Sequence, residues 1–426
     1  MAHVDLRGAM LRARWLLLLL ALSSSLGPAR PEPQVPCYFI FGDSLVDNGN
    51  NNNIASLAVA NFPPYGVDFA GGPTGRFTNG LTSVDVIGSV FSACNKYFSF
   101  PLLLALLLAR QYFKDVLASI IRIPTLCSST IGVSRLHPTL RKYERPSTSC
   151  WCKLRFRGRR NTGGDGATTG TLISQGGRIP FSGQLQTYRS AVQEMGRILG
   201  GQETAATYLS KCIFSVGMGS NDYLNNYFMP ALYGTSRQYT PEQYADVLIQ
   251  QYSQQLRVGL SSSSPSYRMM TTLYNYGARK VALMGVGQVG CSPSELAQRS
   301  PDGITCVEEI NSAIRVFNAK LIGVVDELNA LDGAHFIYIN GYGIFEDIMR
   351  NSAAYGNDSI ALCRNVTFVF GGCFDVVAFA FQANEYLYFD AFHPTEAANI
   401  VIGKRSYSAR SPSDAYPMDI RRLAKV

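Results

Sequence analysis

The sequence predicts an α/β fold, a central parallel sheet with helices on both faces, on three observations. Short apolar runs bounded by turn residues, near 37–41, 212–216, 280–284 and 335–339, have the length and composition of buried strands. Between them, from residue 176 onward, lie segments whose apolar residues recur at three and four, the helical period. One of these opens at Thr240-Pro241-Glu242-Gln243, a capping box with proline at the first helical position. With 426 residues, 46% of them hydrophobic, the chain has ample material for a large core.

From the N-terminus, Arg12 and Arg14 precede an apolar run at 15–22 and then small residues. This is the layout of a secretory signal peptide cleaved near 27–29. The run is far short of the roughly 20 residues that span a bilayer, so no transmembrane anchor is expected. The expected organisation is a signal peptide over 1–29 and a single domain over 30–426, secreted to the extracellular space. The strand at 37–41 then enters a Gly42-Asp43-Ser44 turn and a segment rich in Asn and Gly. A serine just past the carboxyl end of a strand sits where open α/β sheets bind ligands. Such a tripeptide is also a common turn signal, so its meaning depends on partners elsewhere.

Residues 93–175 depart from the α/β pattern. Over 110–160 there are 12 Lys or Arg against 2 acidic residues, a local balance of +10 where the whole chain carries +8. The remainder is therefore slightly acidic, and the basic character belongs to one segment. No recognition motif surrounds these charges, and nucleic-acid binding is not expected. Arg and Lys seldom sit buried unless paired, so this segment is expected outside the core and poorly packed. Regular patterning resumes with a helix at 183–199 and a strand at 212–216 that ends in Gly219-Ser220-Asn221-Asp222. A long helix from 241, a strand at 280–284, a helix at 306–329 and a strand at 335–339 follow, and His393-Pro394 opens a last helix. Two short stretches, 258–270 and 364–382, interrupt this alternation.

A serine hydroxyl is a poor nucleophile unless a base takes its proton. The chain has four histidines. His3 lies in the signal peptide, His137 in the basic segment, and His335 begins a predicted buried strand, which leaves His393. Asp390, three residues earlier, can reach His393, hold its tautomer and stabilise the imidazolium. Ten cysteines in a secreted chain permit disulfides, and Cys291 and Cys306, flanking a polar loop, are the first pair expected to join. No cysteine or histidine spacing suits zinc, and neither a metal nor another cofactor is expected. Asn357-Asp-Ser and Asn365-Val-Thr are N-glycosylation triplets.

Several blocks occur together and in order: FGDSLVDNGNNN from Phe41, PPYGVDFAGGPTGRFTNG from Pro63, Gly219-Ser220-Asn221-Asp222, YNYGARKVALMGVGQVGCSP from Tyr274, and Asp390-x-x-His393-Pro394. In these the chain resembles the plant GDSL esterase/lipase family of the SGNH hydrolases, over residues 36–85 and from 176 to the C-terminus. The resemblance implies a flavodoxin-like three-layer α/β/α domain interrupted by the atypical segment. It also implies a secreted serine ester hydrolase that works through a Ser44-His393-Asp390 triad and an acyl-enzyme. Its substrates would be small-molecule or lipid esters; separately from the resemblance, a monomer is expected. The oxyanion donors implied are the backbone amide of Ser44, the Asn221 side chain and a glycine amide from a second block that the sequence does not locate. That block belongs within 93–175. There, codons for CKLRFRGRRNTGGDGATTG can be chosen whose next frame spells ASYASAAAGIREETGQQLG, a string similar to the family's segment. A retained intron or a misplaced splice boundary would account for both features, and the product would then be catalytically impaired or inactive. An acyltransferase would use the same acyl-enzyme with an alcohol in place of water.

Overall fold

The computed structural model describes residues 33–56, 58–91, 179–256, 273–355, 368–369, 372–373 and 386–426. The expected signal peptide, the 93–175 segment and both glycosylation triplets lie outside the described residues. The described chain is built on a five-stranded sheet, β1 (Tyr38–Gly42), β2 (Ile213–Gly217), β3 (Lys280–Met284), β4 (His335–Ile339) and β5 (Ala415–Tyr416), in that spatial order. The first four strands are parallel, in the register Gly42↔Gly217, Val216↔Leu283 and Leu283↔Tyr338. The expected central parallel sheet is formed by β1 to β4, and at the far edge β5 adds an antiparallel pair with β4. Two residues carry no strand signal of their own. They cover part of the β4 edge, whose backbone groups would otherwise stay open to another chain.

Side chains of successive strand residues point to opposite faces, and each face has its own core. On one side Phe39, Phe41, Phe214, Val216, Val281, Leu283 and Phe336 pack against α2 (Phe181–Leu199), α4 (Pro241–Leu256) and α6 (Glu308–Asn329). On the other side Tyr38, Ile213, Ala282, Ile337 and Ile339 pack against α1 (Ser83–Phe91), α7 (Gly341–Arg350) and α8 (Glu396–Tyr407). This is the three-layer α/β/α arrangement expected, with a short helix α3 (Gln202–Leu209) after α2 and α5 (Pro293–Arg299) after β3. Helix α6 shows how pattern becomes packing: Ile310, Ala313, Ile314, Phe317, Leu321, Val324, Val325 and Leu328 fall at three- and four-residue steps and are all buried. Each of the Val, Ile, Leu and Phe side chains among them contributes roughly 1.5–3 kcal/mol on burial.

Local signals set the helix ends. The capping box is closed at both bonds, Thr240 N–H to Gln243 Oε1 at 2.9 Å and Gln243 N–H to Thr240 Oγ1 at 3.3 Å. Gly200, in the left-handed region, ends α2. The C-terminal helix does not open at His393-Pro394: Thr395 is its N-cap, accepting the Ala398 N–H, and α8 begins at Glu396. Nor is it the last, because α9 (Ile420–Leu423) follows, with Asp419 as its N-cap. The expected Cys291–Cys306 disulfide is present. A second bridge, Cys37–Cys212, ties the segments entering β1 and β2 at a separation of 175 residues. Such a pairing follows from strand adjacency, which sequence spacing does not reveal.

Candidate active site

Parallel strands carry their following loops to one end of the sheet, and the chemistry collects there. Ser44 lies two residues past Gly42, and Asn221 four past Gly217, at the ends of the paired strands β1 and β2. The turn into Ser44 needs a residue without a side chain. A Cβ on Gly42 would stand 2.5 Å from Val46 Cγ2 and 3.0 Å from the Gly217 carbonyl oxygen. Asp43 shapes the same turn by accepting the Leu45 N–H at 3.0 Å. Burial raises the Asp43 carboxyl above its ordinary value, against the opposing pull of that N–H and of His393. From the sheet edge Gln184 of α2 brackets the end of β1. Its Oε1 accepts the Gly42 N–H at 3.0 Å, and its Nε2 donates to the Gly42 carbonyl at 2.8 Å. The Gln184 amide thus satisfies both backbone groups just ahead of the serine.

Asp390 and His393 are held by a turn closed on itself. The Phe389 N–H donates to the His393 carbonyl at 2.7 Å, and Asp390 Oδ1 accepts the N–H groups of Phe392 and His393, both at 2.8 Å. The His393 ring comes back over that carboxylate, with Nδ1 2.8 Å from Oδ1 and 2.7 Å from Oδ2. The other ring nitrogen, Nε2, lies 2.7 Å from Ser44 Oγ. Both residues are buried, Asp390 at 7% and His393 at 9% exposure, so little water competes for these bonds. Burial by itself would push the Asp390 carboxyl up. The imidazole charge and hydrogen bond together with the two backbone N–H groups outweigh it and hold the carboxyl below its ordinary value.

Sequence reasoning thus singled out Ser44, Asp390 and His393, and the fold brings all three into one hydrogen-bonded chain. His335 stands at the start of β4, as expected of a strand residue. Asn221 lies in a single helical turn, Ser220–Asp222, entered through Gly219 at φ 125°. That backbone conformation is one that L side chains rarely adopt. The Asn221 side-chain oxygen accepts Asn225 Nδ2 at 2.6 Å, which leaves the amide nitrogen as the end that donates elsewhere.

Three contributors were not assigned from sequence. Phe77 packs on the imidazole with ring centroids 4.8 Å apart. Tyr65 donates its phenol to Asp390 Oδ2 at 2.8 Å. Asn225 orients Asn221. The first two sit inside the block from Pro63 to Gly80, a motif to which the sequence alone assigns no role. The signal available was the density of aromatic residues there; which of them meets Asp390 or His393 depends on the folded loop.

Among the described residues no group of three or more His, Cys, Asp or Glu is placed to hold a metal ion.

The comparisons with known proteins agree on one family. The family model described as GDSL-like Lipase/Acylhydrolase matches residues 124–406, which include Asn221, Asp390 and His393. The chain is similar to GDSL esterase/lipase At1g29660 of Arabidopsis thaliana, 46% identical over 97% of this chain and 96% of that one. It is similar also to GDSL esterase/lipase At5g45670, 45% identical over 96% of this chain and 98% of the relative. GDSL esterase/lipase 7, from the same plant, is 34% identical over 93% of each chain. By family model and near full-length relatives alike, the chain belongs to the GDSL esterase/lipase family.

Proposed function

We propose that the protein is a serine ester hydrolase that cleaves acyl esters through a covalent acyl-enzyme on Ser44. The observation that carries this reading is the continuous chain from Ser44 Oγ to His393 Nε2, 2.7 Å, and from His393 Nδ1 to Asp390, 2.7–2.8 Å. His393 takes the Ser44 proton as the oxygen attacks the ester carbonyl carbon, and Asp390 stabilises the imidazolium that forms. The carbonyl oxygen gains negative charge, and the Ser44 backbone N–H and the Asn221 amide are the donors offered to it. As the carbon–oxygen bond to the alcohol breaks, His393 returns the proton to the leaving oxygen. A water molecule, deprotonated by the same imidazole, then repeats the attack on the acyl-enzyme and releases the acid.

The substrate class is a lipid ester or an acylated small molecule, and the names of the relatives, GDSL esterase/lipase, support that class. Secretion is part of the proposal. Two disulfides suit an oxidising compartment, and among the described residues no helix is long and apolar enough to cross a membrane. The test is Ser44→Ala in the full chain, assayed on a short-chain aryl ester alongside a thermal unfolding scan. Hydrolysis is expected to vanish with the melting temperature nearly unchanged. Activity lost only in step with folding would make Ser44 a turn residue and nothing more.

A further inference from the structure

Asp390 receives hydrogen bonds from two directions. The backbone N–H groups of Phe392 and His393 and the imidazole Nδ1 all come from its own turn, whereas the Tyr65 phenol comes from a loop 325 residues away in sequence. The backbone donors act on Oδ1, and Tyr65 acts on Oδ2 at 2.8 Å, the oxygen nearer to the imidazole. The Tyr65 ring is already fixed without its hydroxyl. Phe62, Phe77 and Phe389 surround it at centroid distances of 5.5, 5.9 and 5.5 Å. Its loop is anchored through Gly66 N–H to the Thr78 carbonyl, 2.9 Å, and Asp68 N–H to the Asn79 carbonyl, 2.8 Å. A phenylalanine would fit that cage, so packing alone does not call for the oxygen.

We propose that Tyr65 is a positioning residue of the triad: its phenol holds the Asp390 carboxylate in the plane of the imidazole and draws charge from Oδ2, thereby setting the pH range over which His393 serves as base. This rests on the reading of Ser44, His393 and Asp390 as the catalytic triad. A carboxylate that shares its charge with a donor has less to offer the imidazolium. The charged and titratable groups facing the imidazole are Asp390, with Tyr65 behind it, and Asp43 from the serine turn. Burial, with Asp390 alongside, pushes ionisation of the Tyr65 phenol far above the ordinary range, so it remains a donor at every working pH.

The test reads the rate at which a fluorophosphonate labels Ser44 as a function of pH, in the full chain, with melting temperatures recorded for each variant. Tyr65→Phe is expected to lower the plateau rate about tenfold. It should also move the acid limb upward by about half a pH unit, because the unshared carboxylate stabilises the imidazolium. Site-specific 3-fluorotyrosine at 65, a stronger donor of nearly the same shape, is expected to move the limb the other way. An acid limb that stays put in both variants, or that moves in the same direction in both, overturns the proposal even if the plateau falls. If the unaltered chain is not labelled, or His393→Ala labels at the same rate, the triad reading itself fails and the Tyr65 role goes with it.

Discussion

Arg76 and Asp85 form an ion pair that is almost wholly buried, at 2% and 6% exposure. The guanidinium grips the carboxylate at two points, Nε to Oδ2 at 2.7 Å and Nη2 to Oδ1 at 2.8 Å, and Nη1 donates to Thr74 Oγ1 at 2.8 Å. Arg76→Met removes the cation and leaves Asp85 with the Thr82 N–H and hydroxyl as its remaining donors, at 3.0 and 2.8 Å. Breaking a buried pair on one side typically costs about 3–5 kcal/mol. An upper limit on the electrostatic part follows from Asp85 itself, which can escape by taking a proton. From an ordinary value of 3.8, that escape costs about 4 kcal/mol at pH 7 and about 1.6 kcal/mol at pH 5. In the unaltered chain burial pushes the Asp85 carboxyl up, but Arg76 and Thr82 hold it below the ordinary value. The stability it contributes is therefore complete above 3.8 and is lost only as pH falls through the depressed folded value. In Arg76→Met the sign reverses, because the carboxyl is raised and the variant loses stability as pH climbs from 3.8. The gap between the two proteins should thus be about 3–4 kcal/mol at pH 7 and narrow by roughly 2 kcal/mol at pH 5. Urea titration followed by far-UV circular dichroism measures it, since both tryptophans, Trp15 and Trp151, lie outside the described residues. Arg76→Met/Asp85→Asn should show a gap that does not change with pH. A gap below about 1 kcal/mol at pH 7, or one equal at both pH values, would refute the reasoning.

Asn225→Ala should lower turnover on the order of tenfold with little change in KM, because Asn221 loses the bond that turns its amide. Asn221→Ala should cost more, about 2.7–4 kcal/mol of transition-state stabilisation, and the double variant should be no worse than Asn221→Ala alone. Additive losses would separate Asn225 from the oxyanion site. Cys37→Ser/Cys212→Ser should destabilise the chain by about 2–5 kcal/mol, read by urea titration, while leaving the pH dependence of hydrolysis in place. A changed pH profile would mean that the bridge acts on the triad and not on the sheet.

What could be read from the sequence divides by how local its cause is. The four parallel strands were visible because both faces are covered, which turns each strand into an apolar run bounded by turn residues. Helix α4 was visible because Thr240 and Gln243 cap each other across three residues. Asp390 and His393 were legible for the same reason, since one turn holds both. Strand β5 was not, because two residues on an edge have no period to show. The Cys37–Cys212 bridge was hidden because it depends on β1 lying beside β2, a fact of topology. Tyr65 and Phe77 stood in a recognised motif, yet their roles depend on which way a long loop folds over the imidazole. Proline favours a first helical turn, so the sequence places the onset of α8 too early, at His393-Pro394. Thr395, whose hydroxyl accepts the Ala398 N–H, displaced it.

In the proposed triad the base and its aspartate are 3 residues apart, whereas the serine comes from 349 residues away. The acid–base pair is therefore a self-contained piece of chain that can form as soon as its own turn closes. The nucleophile arrives only when β1 has docked beside β2 and the whole length between has been accommodated. Hydrolysis should consequently behave as a reporter of assembly. On gentle unfolding it should disappear with the fraying of β1, ahead of any change in the environment of His393, and on refolding it should be the last property to return.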